Sequence, residues 1–136
     1  MRQTNVKQGA IRVIAGDTLT SKEGYLVKVV DNAGVLTAYL PTALTDVAAY
    51  VVIEGAAIGS LCSIEPLEPG KQVRVILNSV TVVGGDKIVA YASGKEGMAT
   101  EYAGTGAAFI VGIAEEVGDT ALQWLKIRPL LSYWTA

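Results

Sequence analysis

Histidine is absent from this chain of 136 residues, and that absence removes the usual general base, the Ser-His-Asp arrangement and the commonest metal ligand together. Cysteine is almost as scarce. Cys62 stands alone in Ser60-Leu61-Cys62-Ser63-Ile64, so no disulfide staples the chain, and a lone thiol there reads as a small apolar side chain in a reducing compartment. Long apolar runs are missing: residues 47–53 are bounded by Asp46 and Glu54, far short of the roughly 20 residues that a spanning helix needs. No basic segment followed by an apolar core opens the chain, so no signal peptide is expected. Basic clusters are missing as well. The 11 basic and 13 acidic residues leave a net charge of −2, and no stretch gathers the cations that phosphate-backbone binding requires. The expectation is a protein made in the cytoplasm, with neither a nucleic-acid nor a membrane partner.

Charge of either sign is thin. Only 18% of residues are charged, against roughly 25% in ordinary soluble domains, while 51% are hydrophobic. A domain of this size has a large surface for its volume, so part of that surface must be apolar, and contiguous apolar surface marks a partner site. Self-association or docking is therefore expected. The length suits one core, which predicts a polar arm over residues 1–10 and a single β-domain over residues 11–136.

What the chain does have is turn chemistry and β-formers. Gly16-Asp17-Thr18-Leu19 is echoed by Gly85-Asp86-Lys87-Ile88, and each copy is followed by Lys-Glu-Gly, at Lys22-Glu23-Gly24 and Lys95-Glu96-Gly97. Both copies read as a Gly-Asp turn launching a strand, then a second turn. Residues 25–30 and 35–40 flank Asp31-Asn32-Ala33-Gly34, which predicts a hairpin. Pro69-Gly70 fits the centre of a type II turn, and Val73, Val75 and Leu77 after it are expected to face inward. Residues 51–53, 61–64, 80–83 and 98–102 read as further strands, and residues 109–114 as a central strand, apolar on both faces. Residues 122–128 close the fold, with Pro129 ending it and Trp124 placed in the core. One short helix is expected over residues 42–50, with Thr42 as its N-cap. Strands this short, with turns every eight to twelve residues, predict an all-β barrel or sandwich of about eight strands.

Candidate chemistry is sparse. Glu65 with Glu68, or Glu115 with Glu116, are the carboxylate pairs available for acid and base work, but neighbours along a strand point to opposite faces and cannot converge. Gly104-Thr105-Gly106 begins a dinucleotide fingerprint that Phe109 breaks, and Gly94-Lys95-Glu96 lacks the rest of a phosphate loop. Asp17 and Asp86 follow glycines and precede strands, the setting of an Asx-turn rather than of a cation site. No catalytic, metal-ligating or cofactor-binding residue is expected, and hence no enzyme activity and no cofactor. Tyr133 and Trp134 lie beyond Pro129, where two large aromatics call for something to pack against, the chain's own barrel or a neighbouring subunit.

The polar start of the chain, Glu54-Gly55-Ala56-Ala57, Val73-Arg74-Val75, the Gly85-Asp86 strand start, Val111-Gly112-Ile113-Ala114 and Ile127-Arg128-Pro129 resemble the small β-rich decoration, or cement, proteins of tailed-bacteriophage capsids. The resemblance spans most of the chain. It implies a β-tulip-like barrel or sandwich with an extended N-terminal arm. It also implies a homotrimer on the capsid exterior, at three-fold positions of the assembled shell, that clamps the major capsid protein and stabilises the virion. Arg2, Thr4, Val6, Lys7 and Ile11 of the arm, with Tyr133 and Trp134 of the tail, are then the candidate capsid or trimer interface. Two other readings fit an oligomeric β-protein: a ring-forming tail or baseplate domain, and a small-ligand barrel, which requires a deep pocket with convergent polar groups.

Overall fold

The computed structural model describes residues 9–78 and 81–134, and among these there are ten strands and no α-helix. The first five are β1 (Ile11–Ala15), β2 (Leu26–Asn32), β3 (Val35–Tyr39), β4 (Tyr50–Glu54) and β5 (Leu61–Pro66). They close a barrel in the order β1-β3-β2-β4-β5, with β5 returning antiparallel to β1. Strand alternation sends Val13, Ala15, Val27, Ala38, Val52, Cys62 and Ile64 into the barrel interior. Burial there pushes the Cys62 thiol above its ordinary pKa.

The other five are β6 (Val73–Ile76), β7 (Lys87–Val89), β8 (Thr100–Glu101), β9 (Ala108–Ala114) and β10 (Trp124–Trp134), which form an open sheet in the order β6-β10-β9-β7-β8. The all-β architecture is thus a barrel joined to a second sheet. Leu26 and Val51 face each other across β2 and β4 and point out of the barrel, where they join Val75, Leu77, Ile88, Val111, Leu125 and Ile127 in one apolar cluster. Each such aliphatic side chain contributes on the order of 1.5–3 kcal/mol when fully buried, so this seam between barrel and sheet is a major source of stability. Strand β9 lies between β10 and β7 and is buried on both faces, as its unbroken apolar run requires.

The Lys-Glu-Gly echo sits at this seam. Both copies form the same turn, with Tyr25 N–H donating to Lys22 C=O at 3.1 Å and Met98 N–H to Lys95 C=O at 3.3 Å. Gly24 and Gly97 take φ of 86° and 84°, the left-handed value that the third position of a type II turn demands. Each turn hands its glycine carbonyl to the other module: Ile76 N–H donates to Gly24 C=O at 3.0 Å, and Leu26 N–H to Gly97 C=O at 2.7 Å. Pro69-Gly70 likewise forms the expected turn, closed by Lys71 N–H on Glu68 C=O. In the 55–59 bend a Cβ on Gly55 would fall on the Leu19 carbonyl, so the two backbones can approach this closely only with glycine there.

The structure departs from expectation at five places. Residues 42–49 form turns instead of a helix, because the Asp46 carboxylate accepts from Thr42 N–H at 2.7 Å and from Lys28 Nζ at 2.9 Å, while Leu44 C=O accepts from Phe109 N–H. These bonds outcompete a helical ladder. The first Gly-Asp launches no strand: the Asp17 carboxylate reaches across to Leu40 N–H at 2.8 Å, whereas that of Asp86 stays local, on Val83 N–H at 2.9 Å. Pro129 does not end β10. It pairs with Gly112 where β6 has already stopped at Val73, so its missing N–H faces an edge with no strand to serve, and a bulge with Leu131 at φ 53° carries the strand on to Trp134. Trp124 is 47% exposed on the outer face with Lys126 and Arg128, its ring lying over Gly24, because Leu125 and Ile127 take the core side. Of the strand expected over residues 80–83, Val80 falls outside the described residues and Val82 makes an isolated bridge to Gly118.

Candidate functional site

The candidate interface residues divide between the two modules. Ile11 opens β1, paired with Ile64 and 37% exposed. Tyr133 and Trp134 end β10, paired with Phe109 and Ala108 of β9, so the tail folds back on its own chain as a strand. Both rings still face water, at 61% and 44% exposure. Tyr133 meets Phe109 edge-on at 5.4 Å between centroids, and the Lys87 ammonium sits 4.7 Å from the Trp134 ring centre. Leu130 is exposed beside them. Arg2, Thr4, Val6 and Lys7 lie outside the described residues.

A second apolar surface escaped the sequence reading. β2 and β4 carry the barrel wall that docks on the second sheet, and β1 lies across the barrel from them. Outward residues on this far side include Ile14 of β1, Val35 and Tyr39 of β3, and Leu61 of β5, with Ile58 from the loop before β5. Val35, Ile58 and Leu61 are 49%, 62% and 53% exposed. A shallow depression runs among them and contains no charged residue. It adjoins a second depression through the shared Asn32 and Tyr39, which extends the trough past Val30 toward Lys28 and Asp17. The signal was present in β3 and β5, where apolar residues occupy both alternating faces.

The backbone is open at the same place. β1 and β3 run parallel and pair only at Ile14 with Thr37 and Ala15 with Ala38, and Gly16 N–H donates to Ala38 C=O. Alternation puts the Leu36 backbone on this same edge of β3, at the end of the ladder, and no described strand covers the edge before it. The end of β10 presents a comparable edge, since β6 covers only residues 124–127 of that strand.

Three of the four glutamates weighed for chemistry, Glu68, Glu115 and Glu116, have structural partners. Glu115 takes Gln72 and Arg128, which hold its carboxyl below the usual range, and Glu116 accepts from Lys126 N–H at 2.7 Å. Glu68 pairs with Lys71 at 3.1 Å. Asp46, raised by burial but lowered more by Lys28 and Thr42, ends below the ordinary aspartate range. No group of three potential metal ligands occurs among the described residues, and no helix of these residues is long and apolar enough to cross a membrane. What this arrangement offers is docking surface: an apolar wall on the barrel and an aromatic strand end beside Lys87, each next to a strand edge that no described strand covers.

No family model and no curated protein matches the chain. Among solved structures, the chain is similar to the N base of head fiber gp8.5 in bacteriophage phi29, with a TM-score of 0.70, over 96% of this chain and 100% of that one. Sequence identity is 15%, so the likeness is one of fold.

Proposed function

We propose that this chain is a structural virion protein of a tailed phage, bound to the outside of the assembled capsid as a homotrimer at three-fold positions, where it grips the major capsid protein and stabilises the shell. The observation that carries this reading is the end-to-end fold likeness to the base of a phage head fiber. A barrel-plus-sheet unit with apolar patches and open strand edges suits a protein whose work is to be held between other subunits. The same likeness favours a head position over a ring in the tail or baseplate.

The mechanism needs no cofactor and no catalytic group. A protein that binds the assembled shell and not its separated subunits stabilises the shell by linkage, by about 2.7 kcal/mol per site when present at 100 times its dissociation constant. A trimer repeats each contact three times, so weak contacts combine through effective concentration. The arm, with Arg2, Thr4, Val6 and Lys7 leading to Ile11, adds main-chain bonds where it finds an open sheet edge on a capsid subunit.

Cosedimentation with heads stripped of the protein tests this. The expected result is saturable binding to expanded heads, a rise in the temperature at which they release DNA, and weaker occupancy once residues 1–9 are deleted. Protein that stays in the supernatant with intact heads contradicts the reading. Undiminished occupancy by the deletion variant removes the arm from it.

A further inference from the structure

We propose that copies of this chain join head to tail, with the end of β10 of one copy seated on the β1–β3 wall of the next. This rests on the trimeric reading above and specifies its contact.

Three observations converge. First, the fold already contains one interface of this kind: the β2–β4 wall is covered by the face of the second sheet, through Leu26 and Val51 against Val75 and Leu125. The wall across the barrel carries the same residue types, Ile14, Val35, Ile58 and Leu61, and no described strand lies upon it. Second, both surfaces are mainly apolar: the depression on the wall is lined without a charged residue, and residues 129–134 of β10 are Pro, Leu, Leu, Ser, Tyr and Trp, with the Lys87 ammonium over the Trp134 ring as the charge beside them. Charge depletion with aromatic enrichment is the signature of an interface centre, and here the aromatic partner and its β-branched counterpart lie on one chain. Third, each surface adjoins a strand edge that no described strand covers, at the start of β3 and beyond residue 127 of β10. Pro129 and the bulge at Leu131 blunt main-chain pairing on the β10 side, so the contact there is one of side chains.

The patches differ and lie on separate modules, so their contact is heterologous. A heterologous contact closes a ring when the rotation per copy divides the circle, and three copies close it at 120°. An isologous dimer would instead place each patch against its own copy.

Two single variants decide between these. Leu61→Glu alters the wall and Tyr133→Glu the end of β10; both positions are more than half exposed, at 53% and 61%, so the folds survive. Identical circular dichroism spectra check this, and Ile58→Glu gives a second wall variant. Light scattering over a concentration series is expected to find the parent trimeric and each variant alone weakened by more than roughly tenfold in association. Mixing Leu61→Glu with Tyr133→Glu restores one sound contact, so the mixture forms dimers that cannot grow. A monomeric parent, variants that stay trimeric, or a mixture that stays monomeric overturns the proposal. Head binding is scored separately. Variants that remain trimeric yet fail to sediment with heads assign these patches to the shell, which sinks this inference and leaves shell binding standing. A parent that assembles by this route and ignores heads does the reverse.

Discussion

The barrel and the open sheet solve the same problem differently. The barrel closes on itself and owns a core, with Val13, Val27, Val52, Cys62 and Ile64 packed inside it. The sheet buries its inner face only by borrowing: Leu26, Ala48, Val51 and Leu67 from the barrel half complete the cluster around Val111, Leu125 and Ile127. Among the described residues, closure leaves the barrel one short open edge, between β1 and β3, whereas the sheet leaves most of β10 past residue 127 uncovered on one side. One module is self-sufficient inside and apolar outside. The other is dependent inside and open at its rim.

Adjacent residues on β2 give the sharpest way to break that contrast. Leu26 points to the sheet and Val27 to the barrel interior, both fully buried. Leu26→Ala is expected to cost about 2–5 kcal/mol and to speed amide exchange first in β7, β9 and β10, leaving the barrel strands protected. Val27→Ala, losing less volume, is expected to cost less and to speed exchange in the barrel and sheet together, because the sheet cannot outlast its support. Equal patterns from both variants would erase the distinction between modules.

A smaller effect tests the seam. Gly24→Ala imposes a side chain at φ 86°, 2.5 Å from the Trp124 ring, and should cost roughly 1–3 kcal/mol in urea unfolding. Gly97→Ala, whose Cβ would lie 2.9 Å from the Leu26 carbonyl, is expected to match it if the two turns are equivalent clasps.

The smallest effect is electrostatic. The Lys28–Asp46 pair spans 2.9 Å at the barrel surface, both side chains about one-fifth exposed. The folded state holds the Asp46 pKa below its unfolded value, so the associated stability is complete above the ordinary aspartate range and is lost as pH falls through the depressed value. Asp46→Asn should flatten the acid limb of the stability curve by up to about 1 kcal/mol. A parent and variant that lose stability in parallel below pH 4 would show that other carboxylates dominate.

Local signals were legible in the sequence. The β2–β3 hairpin follows from Asp31-Asn32-Ala33-Gly34 between two β-rich runs, β9 from its unbroken apolar stretch, and the paired Lys-Glu-Gly turns from their glycines. The misses share a cause in partners remote along the chain. The parallel pairing of β1 with β3, the reach of Asp17 to Leu40 and the bond from Phe109 to Leu44 that helps keep residues 42–49 from coiling are all set by tertiary contact. Pro129 stops a strand only where a neighbour needs its N–H, and the end of β6 is invisible in the sequence. For the site, Tyr133 and Trp134 were readable as aromatics too costly to leave in water, while Ile14, Val35, Ile58 and Leu61 hid among the many apolar residues of β-strands.

Electron cryomicroscopy of heads from particles with and without this protein tests the central claim most directly. The account predicts difference density on the outer surface at three-fold positions, each a trimer into which the barrel-plus-sheet unit fits. Density confined to the tail, or none on either, would contradict it.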